Sequence, residues 1–193
     1  DTRVTTKLLA HFKLGKQMIS YREENERKQA QFLADEITKG RRIALLSDAG
    51  YPGISDPGFR LVRECRKKNL EVIPIPGPNA AITALAASGL PTHHFLFLGF
   101  PPKGKASFEN LLRKWQDFEG SLIFYQSKYK MESTFEILQK VYGEDRFLAV
   151  ARELTKLHEN IEVGTISYVR QKIQDSSKKG EFTLVLAPHD FVL

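Results

Sequence analysis

Cysteine is nearly missing: Cys65 is the single one in 193 residues. A lone thiol forms no internal disulfide and no Cys-based metal cluster, and a reducing, cytosolic setting is expected. No apolar run approaches the ~20 residues that span a bilayer. Several chemical signatures are also wanting. There is no H-E-x-x-H, no G-x-G-x-x-G, no phosphate loop and no G-x-S-x-G, so zinc proteolysis, dinucleotide binding and an elbow nucleophile have no support. His93 and His94 are adjacent and point to opposite faces if in a strand, while His11, His158 and His189 are isolated. No metal site is expected. Acid is the minority charge: 23 Asp and Glu against 29 Lys and Arg, giving +6 and a pI near 9.4. That favours an anionic partner such as RNA, against the plainer reading of a merely basic protein. What is present suffices for a core. Hydrophobic residues make up 41% and aromatics 10%, which excludes disorder throughout and allows one large domain or two small ones.

Periodicity assigns the elements. Thr2 to Phe12 reads as a helix with Val4, Leu8, Leu9 and Phe12 near one face, and Gln17 to Tyr21 as a short strand. Glu23 to Lys39 is a helix, because Ala30, Leu33, Ala34 and Ile37 fall at i, i+3, i+4, i+7 and Gly40 stops it. Arg42 to Ser47 and Glu71 to Ile75 read as strands. Between them, Gly58 to Lys68 is a helix with Phe59, Val62 and Cys65 facing in. That is a βαβ unit with parallel strands. Ala80 to Ser88 is an apolar helix, with Asn79 suited to cap it. The pattern restarts after Pro91: strand Phe95 to Leu98, basic loop Phe100 to Ala106, helix Ser107 to Trp115, strand Leu122 to Tyr125, helix Met131 to Val141, strand Phe147 to Ala151, helix Thr165 to Gln174 and strand Glu181 to Ala187. Alternation of this kind is α/β. Two domains are expected, residues 1–90 and 91–193.

The most informative stretch is Asp48 to Pro57, D-A-G-Y-P-G-I-S-D-P. A strand that empties into two Gly, two Pro and two Asp is no plain connection, and ligands bind outside the carboxyl ends of parallel strands. Asp56-Pro57 alone is explained as an N-cap and first helical residue. The flanking Gly50 and Gly53 are not. Pro76-Gly77-Pro78-Asn79-Ala80-Ala81 offers a turn and a helix N-terminus whose free N–H groups suit a polar ligand. Ala151-Arg152-Glu153-Leu154-Thr155-Lys156 and Lys178-Lys179-Gly180-Glu181 bracket strands in the second half. Each is otherwise an ordinary polar loop, since an exposed Arg–Glu pair contributes little.

Together these residues resemble a known family. S-D-A-G-Y-P-G-I-S-D-P-G (Ser47 to Gly58) followed by P-G-P-N-A-A-I-T-A-L (Pro76 to Leu85) is similar to the ribosomal RNA small-subunit methyltransferase I family of the tetrapyrrole-methylase superfamily. D-T-R (Asp1 to Arg3), S-Y (Ser20-Tyr21), A-S-G-L-P (Ala87 to Pro91), G-F-P-P-K (Gly99 to Lys103), L-I-F-Y (Leu122 to Tyr125), A-R-E-L-T-K (Ala151 to Lys156) and K-G-E (Lys179 to Glu181) agree in order. The resemblance implies a two-domain α/β fold, a Rossmann-like parallel-sheet domain plus a mixed-sheet domain, with S-adenosylmethionine between the domains. It implies methyl transfer to the 2′-hydroxyl of a cytidine in small-subunit ribosomal RNA, and a cytoplasmic homodimer.

Two features depart from the family pattern. Tyr51 stands where the family has Thr in D-A-G-T-P. The family also carries a strand and a G-T-P-I-G-N-type loop before D-T-R, so this strand of the first sheet is expected to lie outside the sequence. Cofactor contacts are expected at Asp48, Ala49, Gly50, Ile54, Asp56, Asn79, Ala80, Ala81, Tyr125, Gln126, Ala151, Glu181, Phe182 and Thr183. The acceptor hydroxyl needs a proton acceptor, Glu153 or the Asp48 loop. Arg152, Lys156 and Lys179 would hold phosphates, and Pro101 to Lys105 would grip the RNA backbone. The rival readings are a tetrapyrrole or protein methylase of the same superfamily and a non-catalytic RNA-binding fragment.

Overall fold

A computed structural model describes residues 2–174 and 180–193. The chain divides into two compact units, 1–79 and 80–193. Helix 80–87 therefore goes with the second unit, because it packs on that unit's sheet.

The first unit is helical among its described residues: α1 (Thr2–His11), α2 (Glu26–Thr38) and α3 (Phe59–Lys67). Its core is small. Ala30, Leu33 and Ala34 of α2 meet Leu61 and Cys65 of α3, with Tyr21, Ile37, Leu70 and Val72 packed around them. Burial pushes the Cys65 thiol pKa up, so it behaves as a small apolar group.

Several expectations fail here. Arg42 to Ser47, Glu71 to Ile75 and Gln17 to Tyr21 have no sheet pairing. A strand is defined by its neighbour's hydrogen bonds, and apolar composition does not supply the neighbour. The side chains agree: Ile43, Leu46, Ile73 and Ile75 are exposed. In α3 the buried pair is Leu61 and Cys65, while Phe59 and Val62 face out. α1 buries none of its side chains.

The second unit is a five-stranded mixed sheet with helices on both faces. Its elements are α4 (Ala80–Ala87), β1 (Phe95–Phe97), α5 (Lys105–Lys114), β2 (Ser121–Ser127), α6 (Met131–Tyr142), β3 (Phe147–Arg152), β4 (Asn160–Thr165), α7 (Ile166–Gln174) and β5 (Glu181–Leu186). The strand order is β1-β2-β5-β3-β4. Only β1 and β2 run parallel; the other neighbours are antiparallel. The period-2 rule sorts the side chains. Leu122, Phe124, Leu148, Val150, Phe182, Leu184 and Leu186 form a thick core with α5, α6 and α7. Ile123, Ala149, Ala151 and Val185 face Ala81, Ala84 and Leu85 of α4 instead. The small alanines on that face let α4 sit close. β4 was not expected. Its segment N-I-E-V-G-T is half-exposed at the sheet edge, so it lacks the continuous apolar run of a central strand.

Candidate functional site

In the first unit the Gly- and Pro-rich bends come together. Asp48 to Pro57 closes on itself. The Ser47 hydroxyl faces the Asp56 carboxylate and accepts from the Ala49 N–H at 3.1 Å. Ile54 N–H donates to Tyr51 O at 3.2 Å. Gly58 has φ +154°, and a Cβ there would lie 2.9 Å from Gly53 N and 3.1 Å from Leu45 Cδ2, so only Gly lets the two ends of the loop touch. The bend at Pro76–Asn79 lies against this loop. A Cβ on Gly50 would sit 4.0 Å from Pro78 O, and one on Gly77 3.6 Å from Tyr51 Cδ2. The Tyr51 ring thus occupies the space that Gly77 leaves. Asp48 also borders a hollow of about 560 Å³ between α1, the segment 16–21, α2 and the run 41–46.

The Asp56 cap does not form. Helix α3 starts at Phe59 after Gly58, with no side-chain cap from its own N-terminus. Its free N–H groups go to Glu26 of α2, whose Oε1 accepts from Gly58 N at 2.9 Å and Arg60 N at 3.2 Å. Tyr21 Oη donates to the same oxygen at 3.3 Å. Glu26 is 9% exposed. Burial, then the Glu26 charge, push the Tyr21 phenol well above its usual range. Glu26 carries no local signal in the sequence. It reads as an ordinary acidic residue in the first turn of a helix, and the α3 N–H groups it caps lie more than thirty residues away.

In the second unit, Tyr125, Thr183 and Ala151 form one row across β2, β5 and β3. They share the α4 face, and the Tyr125 hydroxyl accepts from the N–H of Ala81 at 3.3 Å. Ala80 and Ala81 open α4, so its first turn is bonded directly to the row. Phe97 and Phe100 pack on Tyr125, with ring centroids 5.0 and 5.3 Å away. Gln126 and Phe182 take the next register positions and so turn to the opposite face. Gln126 is buried and donates to Thr134 Oγ1 at 2.8 Å, and Phe182 joins the core under α6.

Arg152 ends β3. Glu153 and Thr155 follow at φ +50° and +66°, a left-handed region costly for residues other than Gly. Glu153 Oε1 accepts from Glu181 N at 2.9 Å and from Lys156 Nζ at 2.9 Å. Lys156 also reaches Glu181 Oε2 at 2.9 Å. The N–H of Glu181 and then the Lys156 ammonium hold the Glu153 carboxyl below its ordinary value. The Lys156 pKa is raised, first by Glu181 and then by Glu153. Glu153 is therefore an ionised acceptor at neutral pH rather than a strong base. Its side chain lies where a Gly180 Cβ would be, at 2.6 Å. Lys179 lies outside the described residues. No group of three His, Cys, Asp or Glu able to hold a metal occurs among the described residues, and no helix there is long and apolar enough to cross a membrane.

Comparison with known proteins places the chain. The family profile of tetrapyrrole (corrin/porphyrin) methylases matches residues 1–169. Ribosomal RNA small subunit methyltransferase I of Synechocystis sp. is 44% identical over 187 residues, which are 97% of this chain and 67% of that protein. The protein of the same name from Halalkalibacterium halodurans is 42% identical over 96% of this chain and 64% of its own length. The chain thus spans about two thirds, or slightly less, of the relatives it matches. Among solved structures, diphthine synthase superposes with TM-score 0.69 over 94% of this chain and 73% of its own, at 14% identity. The methyltransferase CobJ gives 0.61 over 84% and 71%, at 22% identity. At such identities the likeness concerns the fold. The mixed sheet, the Gly- and Pro-rich bends and the profile match agree: the chain belongs to the tetrapyrrole methylase family, and within it to the ribosomal RNA small subunit methyltransferase I group.

Proposed function

We propose that this protein transfers a methyl group from S-adenosylmethionine to the 2′-hydroxyl of a cytidine in small-subunit ribosomal RNA. The observation that carries the reading is near-full-chain similarity, at about 40% identity, to proteins named for methylating this RNA. The donor set of the second unit suits such a cofactor. The hydroxyls of Tyr125 and Thr183 and the Ala81 N–H lie on one face of the sheet, with the small side chains of Ala80 and Ala151 beside them. Asp48, Ala49, Gly50, Ile54, Asp56 and Asn79 are proposed as further cofactor contacts from the first unit. Glu181, Gln126 and Phe182 complete the set, the last two through their backbone, since their side chains face the core.

When bound, the sulfonium supplies an activated methyl for in-line displacement. The protein's task is then chiefly to align the acceptor oxygen with it. The 2′-hydroxyl is a weak acid. Glu153 is the proposed hydrogen-bond acceptor for its proton, and the left-handed backbone at Glu153 and Thr155 is the kind of strain that accumulates at working sites. Arg152 and Lys156 are proposed to hold the adjoining phosphates. A homodimer in the cytoplasm, where ribosomal RNA is available, completes the reading.

The test is threefold. Calorimetry should show the chain binding S-adenosylmethionine. Labelled methyl should then pass to small ribosomal subunits, with nucleoside mass spectrometry reading 2′-O-methylcytidine. Light scattering should give twice the 22.0 kDa chain mass. Absence of cofactor binding, or label on a tetrapyrrole or protein instead of RNA, would overturn the assignment.

A further inference from the structure

The turn that joins β2 to α6, Lys128–Lys130, is a single 3-10 turn. Its middle residue, Tyr129, is 85% exposed. The turn is not loose. The Gln126–Thr134 bond fixes it from below, Ser127 N donates to Gln126 Oε1 at 2.9 Å, Ser133 Oγ donates to Lys130 O at 2.9 Å, and Met131 is buried. The ring is held out by an ordered frame. A single exposed aromatic is ordinary, but this one is set among cations. Lys128 Nζ lies 4.6 Å from the ring centroid. Lys130 Nζ donates to Lys103 O at 3.0 Å, tying the turn to the loop that carries Phe100, itself 62% exposed. The acids of this side of α6 are already engaged, Glu132 with Arg170 and Glu136 with Lys105. Beside the ring, among the described residues, opens a pocket of about 410 Å³ floored by Met131, Phe135 and Phe182, with Lys128 and Tyr129 on its wall.

We propose that Tyr129 is a stacking platform for an unpaired RNA base, with Lys103, Lys128 and Lys130 holding the flanking phosphates. The inference rests on the RNA reading above and adds to it a place and a mode of contact. An anionic partner of any kind would suit the lysines. A planar base also uses the ring, the cation beside it and the apolar floor, and stacking of this sort is tolerant of sequence. The geometry therefore favours single-stranded RNA over an acidic peptide.

The test uses the full chain and a short single-stranded oligoribonucleotide, read by fluorescence anisotropy, with S-adenosylmethionine titrated in parallel. Tyr129→Ala should weaken RNA binding about tenfold or more, while Tyr129→Phe stays close to wild type and cofactor binding does not change in either. Polyphosphate, which has charge without bases, should compete more weakly against wild type than against Tyr129→Ala. RNA binding by Tyr129→Ala at wild-type strength overturns the platform and leaves the RNA reading standing. Equal losses in Ala and Phe variants also overturn it, because the hydroxyl and not the ring face would then matter. Wild-type protein that binds no RNA overturns both.

Discussion

Replacing Glu26 by Ala should loosen the first unit more than any other charge removal there. The carboxylate is nearly inaccessible and accepts from two backbone N–H groups at the start of α3 and from the Tyr21 hydroxyl. Truncation to Ala leaves those N–H groups without an acceptor. The loss of a helix cap costs about 0.5–2 kcal/mol, and a buried donor left unpaired costs about 1–3 kcal/mol. Together they give ~3 kcal/mol. Cooperative unfolding of a chain this size should then show a midpoint lower by about 6–12 °C. The ion pair to Arg60, at 3.5 Å and half-exposed on the Arg side, adds little. Glu26→Gln therefore separates capping from charge. It keeps an oxygen for the N–H groups and should lose only ~1 kcal/mol. Calorimetric scans of the three proteins decide the matter. An Ala variant as stable as wild type, or a Gln variant as weak as the Ala one, would refute the argument.

Further outcomes follow from the same geometry. Gly58→Ala forces a Cβ to within 2.9 Å of Gly53 backbone in a conformation unfavourable to L residues and should cost about 1–3 kcal/mol, measured by urea unfolding. Gly50→Leu should abolish S-adenosylmethionine binding in calorimetry while the circular dichroism spectrum is kept; undiminished binding would remove that loop from the cofactor contacts. The clasp of Glu153, Lys156 and Glu181 should be pH-bounded. The depressed Glu153 pKa means its contribution is full above its ordinary value of 4.5 and is lost as pH falls through the folded value below that. The raised Lys156 pKa means its contribution is full below 10.5 and lost as pH rises beyond it. Hydrogen exchange at Glu181 N–H should accordingly be slowest between those limits, after correction for intrinsic rates. Protection that keeps growing towards acid would contradict the clasp.

The central strands of the second unit were legible because they are buried on both faces. Leu122 to Tyr125, Phe147 to Ala151 and Glu181 to Ala187 read as apolar runs, and the sheet needs them so. The edge strand β4 was not legible, since Asn160 to Thr165 mixes polar and apolar residues in a half-exposed row. In the first unit, periodicity located helices α2 and α3 to within a few residues, yet it turned Phe59 and Val62 inward with Cys65, when Leu61 is the residue buried beside Cys65. Runs such as Ile43–Leu46 have strand composition, but strand formation depends on a partner that composition cannot name. At the candidate site, the bends were visible from Gly and Pro alone. That Gln126 faces away from Tyr125, and that Glu26 caps a helix from across the unit, are tertiary facts with no local trace.

The position of β5 has a consequence for how the protein is made. It stands between β2 and β3, hydrogen-bonded to both, yet it leaves the ribosome after them. Until residues 181–186 emerge, the growing sheet is two separate halves, β1–β2 and β3–β4, each with an unsatisfied border. Closure must then wait for the final wedge, so a nascent chain stalled before Gly180 should be a chaperone client and a truncated product should aggregate.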